Sequence, residues 1–143
     1  MKVTMMLANH VEVQNGLFYI HGGGWSVTGP GPVNFGLGVL VEVPWDKTNL
    51  EHGWRLTLVD SDGQPVMVEG EEGEQPLVEI ANKFEVGRPP GVKAGTPLPV
   101  SLAFDFHGLP LPAGDRYRFE LWVDGEVAGD VAFSTRPAPE PSE

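Results

Sequence analysis

Apolar and polar residues alternate with a period of two along most of this chain. Val100, Leu102, Phe104 and Phe106 fall on one face, with Ser101, Ala103 and Asp105 on the other. Tyr117, Phe119, Leu121 and Val123 repeat the pattern against Arg116, Arg118 and Glu120. Trp54, Leu56 and Leu58 do so again, as do Val127, Val131 and Phe133. Such alternation puts one set of side chains in a core and the other in water, as strands of a sheet require. Sustained helical periodicity is absent from every window of about 11 residues or more. The pattern predicts strands at about residues 2–8, 10–14, 17–21, 33–43, 54–60, 65–69, 77–86, 98–106, 115–124 and 126–135.

Turn chemistry falls between these strands. Asp124-Gly125 and Asp62-Gly63 separate alternating segments, and Asn15-Gly16 links Val11–Val13 to Leu17–Ile20; each is a hairpin signal. Gly29-Pro30-Gly31-Pro32 and Arg88-Pro89-Pro90-Gly91 read as loops, because proline lacks the ladder donor and fixes φ. Glu69 to Gln75 reads as an acidic loop, and residues 136–143 as a disordered, proline-rich acidic tail. Short strands punctuated in this way predict one all-β domain over residues 1–135, an immunoglobulin-like or related Greek-key antiparallel β-sandwich. On the strand at 33–43, Val33, Phe35, Leu37, Val39 and Val41 share the apolar face. Gly36 and Gly38 leave a groove on the opposite face, which Trp25 or Trp122 is expected to cover.

Leu111-x-x-Gly114-x-x-Tyr117 leads into an alternating strand and resembles the tyrosine corner of fibronectin type III and related immunoglobulin-like sandwiches. There the tyrosine hydroxyl bonds to upstream backbone and fixes a crossover between sheets. A second resemblance lies in Met1–Ala8 (MKVTMMLA), followed by Gly16–Ile20 and by Gly22–Ser26 (GGGWS). This opening is similar to that of a family of small bacterial proteins of unknown function, and the similarity extends through Glu42–Trp45 and Asp60–Gln64. It implies membership of that family and no activity.

At 143 residues the chain is long enough to bury a core without staples. The absence of cysteine removes thiolate catalysis, thiolate zinc sites and disulfides together. Twenty acidic against nine basic side chains give a net charge of −11, which repels a phosphate backbone, so nucleic acid is not an expected partner. The apolar run Val3–Ala8 is too short for the core of a signal peptide, and no run reaches the roughly 18 residues of a membrane span. The expectation is a cytoplasmic protein with no membrane partner.

His21–Ser26 reads HGGGWS, letters shared with the oxyanion-hole runs of α/β-hydrolase esterases. Such an enzyme needs a serine with glycine two residues to either side, and Ser26, Ser61, Ser101, Ser134 and Ser142 all lack that context. An esterase is therefore the remote reading. The run reads instead as geometry: Gly22, Gly23 and Gly24 permit a bulge that sets Trp25 against the sandwich. His10, His21, His52 and His107 lack metal-site spacing and lie at predicted strand ends or loops, where surface residues or turn hydrogen-bonders are expected. Asp60, Asp62 and Glu71 match part of a Ca2+-loop spacing, but Pro65 stands where that loop needs glycine and strands flank it, so a turn is expected.

No catalytic set, metal or cofactor is expected, and no enzyme. Trp122 is out of phase with Tyr117, Phe119, Leu121 and Val123 and is predicted as a large exposed aromatic on the strand of Arg116 and Arg118. These features point to a non-catalytic binding or assembly module that docks a protein partner, or a second copy of itself, through a sheet face or edge. The alternative is a small-ligand or carbohydrate site with Trp25 and Trp45 as stacking platforms near Gly22–Pro32.

Overall fold

The computed structural model describes residues 1–139, and every element lies within them. The chain forms β1 (Lys2–Ala8), β2 (His10–Gln14), β3 (Leu17–His21), β4 (Val27–Thr28), β5 (Gly31–Val43), a 3-10 turn at Trp45–Lys47, β6 (His52–Asp60), β7 (Met67–Gly70), β8 (Gly73–Pro76), β9 (Glu79–Phe84), β10 (Leu98–Leu111), β11 (Arg116–Val123) and β12 (Glu126–Thr135). The fold is all-β. No helix among the described residues is long and apolar enough to cross a membrane. One sheet has the order β1-β5-β10 and a second the order β4-β12-β11-β6-β9, while β2–β3 and β7–β8 are separate hairpins. The connections from β5 to β6 and from β10 to β11 pass from one main sheet to the other. Pairing is antiparallel except between β4 and β12.

The main sheets stack through the alternating apolar residues. β5 buries Phe35, Leu37, Val39, Val41 and Val43, and β11 answers with Tyr117, Phe119, Leu121 and Val123. Phe119 stacks on Phe106 across the interior and on Phe133 within its own sheet, with ring centres 5.3 and 5.6 Å apart, and Phe35 packs against all three. Aromatic pairs at such separations add about 0.5–1.5 kcal/mol each beyond area burial. The contact of Phe35 with Phe119 sets β5 over β11, and that of Trp54 with Phe104, at 5.6 Å, sets β10 over β6. Val3 packs directly on Gly129, which sets β1 over β12. β9 is left overhanging, with no strand of the smaller sheet opposite it among the described residues.

Several expectations change. Gly31 and Pro32 begin β5 instead of forming a loop. The register of β1 reaches only Gly36, so at Pro32 the strand has β10 on one side alone and the missing N–H faces an unpaired edge. His107 and Gly108 form a bulge within β10, between Phe106 and Leu109, and not the end of the strand. Glu69–Gln75 is not a loop: it pairs as the β7–β8 hairpin, so the strand predicted at 65–69 begins at Met67. The strand predicted at 77–86 shortens to β9, and the two-residue β4 is too brief for periodicity to reveal.

The glycine groove of β5 is filled by the β2–β3 hairpin, and neither Trp25 nor Trp122 covers it. Val11 packs over Gly36 and Gly38, and Phe18 over Gly38. A Cβ on Gly36 would lie 2.9 Å from the backbone N of Val11, so the hairpin seats only because that side chain is missing. Asn15 and Gly16 both take positive φ, as do Asp124 and Gly125 between β11 and β12, the backbone that two-residue hairpin turns need.

At the crossover into β11 the Tyr117 hydroxyl donates to the Pro112 carbonyl at 3.4 Å. The tighter bond to that carbonyl comes from the Thr135 hydroxyl, at 2.7 Å. Thr135, buried at the end of β12, also accepts from the Asp115 N–H at 3.1 Å. Gly114 donates its N–H to the Arg136 carbonyl, Arg136 donates to Thr28, and Leu111 is buried beneath the corner. The predicted tail is thus anchored at its first residue. Pro137–Pro139 carry no secondary structure, and residues 140–143 of that segment lie outside the described residues.

Thr135→Val is expected to cost about 1–3 kcal/mol, because it removes a donor and an acceptor from one buried position, whereas Tyr117→Phe costs about 1 kcal/mol or less. Urea denaturation of both variants measures the difference. A larger loss for Tyr117→Phe would make Tyr117 the corner's principal bond.

Candidate docking site

Alternation places Arg116, Arg118, Glu120 and Trp122 on the outer face of β11. Trp122 is half-buried there, not the freely exposed aromatic that its phase predicts. Its neighbour in register on β6, Arg55, holds its guanidinium 4.9 Å from the centre of the indole ring. Arg118 donates to Glu120 at 3.3 Å, and Arg116 is exposed one turn of the pleat away. A shallow depression of about 430 Å3 runs beside the indole, bordered by Arg55, Ala81 and Lys83. The face therefore offers one aromatic already capped by a cation and one arginine already paired with a carboxylate.

Trp45 sits at one end of the sandwich, with the Arg88 guanidinium 4.1 Å over its ring. Arg88 also donates to the Trp45 carbonyl at 2.6 Å and to the Thr48 hydroxyl at 2.7 Å. Beside this cluster is His52, only 4% exposed, which corrects its expected surface position. It occupies the first position of β6, in phase with Trp54, Leu56 and Leu58, and that phase was the available signal. One ring nitrogen lies 2.7 Å from the Asp124 carboxylate and the other 2.8 Å from the Lys47 carbonyl. Both partners accept, so the ring satisfies both as an imidazolium. Burial opposes that charge, but the Lys47 carbonyl and the Asp124 carboxylate outweigh it and raise the His52 pKa above its ordinary value.

The HGGGWS run turns the chain from β3 back under β1. Asn9 donates to the carbonyls of His21 and Gly22, and Gly24 donates to Leu7 at 2.8 Å. Gly22 and Gly24 take positive φ; Gly23 does not. Trp25 then meets Phe35 edge-on at 5.2 Å and Phe133 at 6.1 Å. The structure does not bring Trp25, Trp45 and Trp122 together, since each serves a different part of the sandwich. Among the described residues no group of three histidine or acidic side chains is placed to hold a metal ion.

A feature that residue patterns concealed lies along β10. This strand ends its sheet and pairs with β5 alone. Proline has no N–H to donate, so Pro99 and Pro110 belong at positions whose backbone turns away from β5. The one-residue shift at the bulge keeps both in that outward set. Ser101, Ala103 and Asp105 share the phase of Pro99 and direct their N–H and C=O groups toward the open edge. Among the described residues no turn or loop backbone bonds to them. On the inner face Val100, Leu102 and Phe104 are only half-buried, because no strand among the described residues lies beyond β10. Opposite that vacancy is the overhanging β9, whose inward Ile80 is 37% exposed.

The other edges are guarded. β1 starts with Lys2, paired to Glu42, β9 carries Glu79 and Lys83, and β4 is two residues long. From Leu98 to Phe104 β10 has no charge, the usual protection against strand addition. The alternation of Val100, Leu102 and Phe104 reads as core in the sequence; an uncharged strand opening with Pro99 was the one hint of an edge.

The model of a family of unknown function, DUF6941, matches residues 3–135, so the chain belongs to that family. No curated protein and no solved structure matches it.

Because the folded pKa of His52 exceeds its unfolded value, its contribution to stability is complete below about pH 6.5 and is lost as pH rises through the folded pKa. Melting followed across this range is expected to show that decline in the wild type and a smaller one in Asp124→Asn; identical profiles would show that the pair does not hold the proton. Within the glycine run, Gly24→Ala is expected to cost about 1–2 kcal/mol through its positive φ. Gly23→Ala costs less: its Cβ would meet Ile20 Cγ2 at 2.7 Å and Met6 Sδ at 2.9 Å, but both side chains are exposed and can give way. Thermal melts of the two variants test that order, which a larger loss at Gly23 would reverse.

Proposed function

We propose that this member of the family is a non-catalytic docking module that receives an extended segment of a partner protein along the free edge of β10. The observation that carries the reading is an unpaired backbone edge, bounded by Pro99 and the bulge after Phe106, beside a half-buried apolar seam. A strand laid on the β9 overhang would bond to Ser101, Ala103 and Asp105 and cover Val100, Leu102, Phe104 and Ile80. Main-chain hydrogen bonds then supply affinity and alternate side chains supply specificity.

The strand order supports the finer, immunoglobulin-like Greek-key reading. β1, β5 and β10 facing β12, β11 and β6, with crossovers after β5 and β10, follow the order of the first, second and fifth strands against the last, sixth and third. In constant-type sandwiches the fourth strand lies beside the fifth, and that place is empty next to β10. The alternative of tryptophan platforms for a small ligand draws no support from Trp45, whose ring Arg88 covers, or from Trp25, which packs edge-on against the core.

Affinity capture from the native host with wild type, Ala103→Pro and Trp122→Ala tests the location. A partner held by wild type and Trp122→Ala but lost from a normally melting Ala103→Pro is the expected outcome. Loss with Trp122→Ala and retention with Ala103→Pro would move the site to the outer face of β11.

A further inference from the structure

We infer that the β9–β10 ledge takes a single, isolated strand whose side chains alternate apolar with polar and which carries lysine or arginine at its ends, in place of a second copy of this sandwich. The inference rests on the docking reading and names the chemistry of the occupant. Geometry excludes a second copy paired antiparallel through its own β10. β10 lies over β6, so a copy joined edge to edge through its own β10 would bring its β6 to the place where β9 already overhangs. A lone strand has no such second layer and fits beside β10 above β9.

Length follows from the edge itself. Pro99 at one end and the bulge after Phe106 at the other bound a pairing window of Val100–Phe106. Side chains pointing inward from that window meet Leu102, Phe104 and Ile80, which calls for apolar residues at alternate positions, while Asn82, on the same face of β9, accepts a polar one at the far end. Net charge sets the sign of the ends. The β7–β8 hairpin that leads into β9 carries Glu69, Glu71, Glu72 and Glu74, Glu79 lies on the outer face of β9, and Lys93 is the one cation in the segment that joins β9 to β10 apart from Arg88, which Trp45 and Thr48 engage. Lys83, the cation on β9, is paired with Glu51 at 3.0 Å. The molecule as a whole has a net charge of −11, which repels an acidic segment or another copy and attracts a basic one.

The probes are two synthetic peptides of alternating valine and threonine, one ended by lysine pairs and the other by glutamate pairs. Isotope-labelled full-length protein is titrated with each while backbone amide shifts are followed. The lysine-ended peptide is expected to shift amides of Ser101, Ala103, Asp105 and β9, and to weaken at least about tenfold between low and physiological salt. The glutamate-ended peptide is expected to bind at least about tenfold more weakly. Ser101→Pro and Ala103→Pro, checked for wild-type melting, should each abolish the shifts, so a folding defect in one leaves the other decisive. Equal binding of both peptides at β10 would overturn the charge assignment and leave the docking reading standing. Absence of shifts at β10 with either peptide would overturn both. A concentration-dependent dimer in sedimentation, removed by Ala103→Pro, would overturn the exclusion of a second copy.

Discussion

Phe119 stacked on Phe106 across the interior, with Phe35 packed against both, determines how the two main sheets lie over each other. Once β5 sits over β11, β10 must sit over β6, as Trp54 and Phe104 confirm by contact, and β1 over β12. Three strands cannot cover five. The surplus falls at β4, which is two residues long and paired at the end of β12, and at β9, which pairs with β6 and, among the described residues, has no strand of the smaller sheet opposite it. The incomplete burial of Val100, Leu102 and Phe104 is the energetic counterpart of that mismatch, since roughly 25 cal/mol is forgone for each Å2 of apolar surface left in water. The site proposed for docking is thus a product of core packing, and no separate binding loop is needed to create it.

Elsewhere the same fold closes its exposed faces from within. The outer face of the three-stranded sheet is covered where Gly36 and Gly38 let Val11 and Phe18 approach, and the HGGGWS run returns the chain from that hairpin to the core. His10 fastens the hairpin further by reaching Glu12 at 2.7 Å and Asp105 of β10 at 3.3 Å. One end of the sandwich is closed by Arg88 over Trp45 and by His52 between Lys47 and Asp124; the corner at Thr135 ties the last strand to the β10–β11 crossover. Against these closures the flank of β10 stands out as the place where backbone polarity and apolar side chains are both left without partners among the described residues.

Much of this fold is legible from two-residue periodicity, because alternation reports which side of a strand is wet. The all-β class and the faces of β5, β10 and β11 follow from it directly, and the hairpin turns at Asn15-Gly16 and Asp124-Gly125 follow from their residue types, whereas Asp62-Gly63 is spanned only by the isolated bridge of Val59 with Pro65. Periodicity does not report which strand ends a sheet, so Val100, Leu102 and Phe104 look identical to Phe35, Leu37 and Val39 although the first set is half-exposed and the second fully buried. It also misses β4 and the β7–β8 pairing, which are too short or too acidic to alternate, and the continuation of β10 through its bulge. Trp122 was legible in phase but not in environment, since Arg55 belongs to a strand more than sixty positions earlier. His52 was legible in phase too, and its burial depends on an Asp124 that only the folded chain brings near.

Amide hydrogen exchange of the free protein distinguishes an open hydrogen-bonding edge on the outer side of β10 from a covered one. Val100, Leu102 and Phe104 should be protected by β5 while Ser101, Ala103 and Asp105, one residue apart from them, exchange at rates typical of exposed backbone. Uniform protection along Val100–Phe106 would mean that the edge is already covered and that no strand docks there.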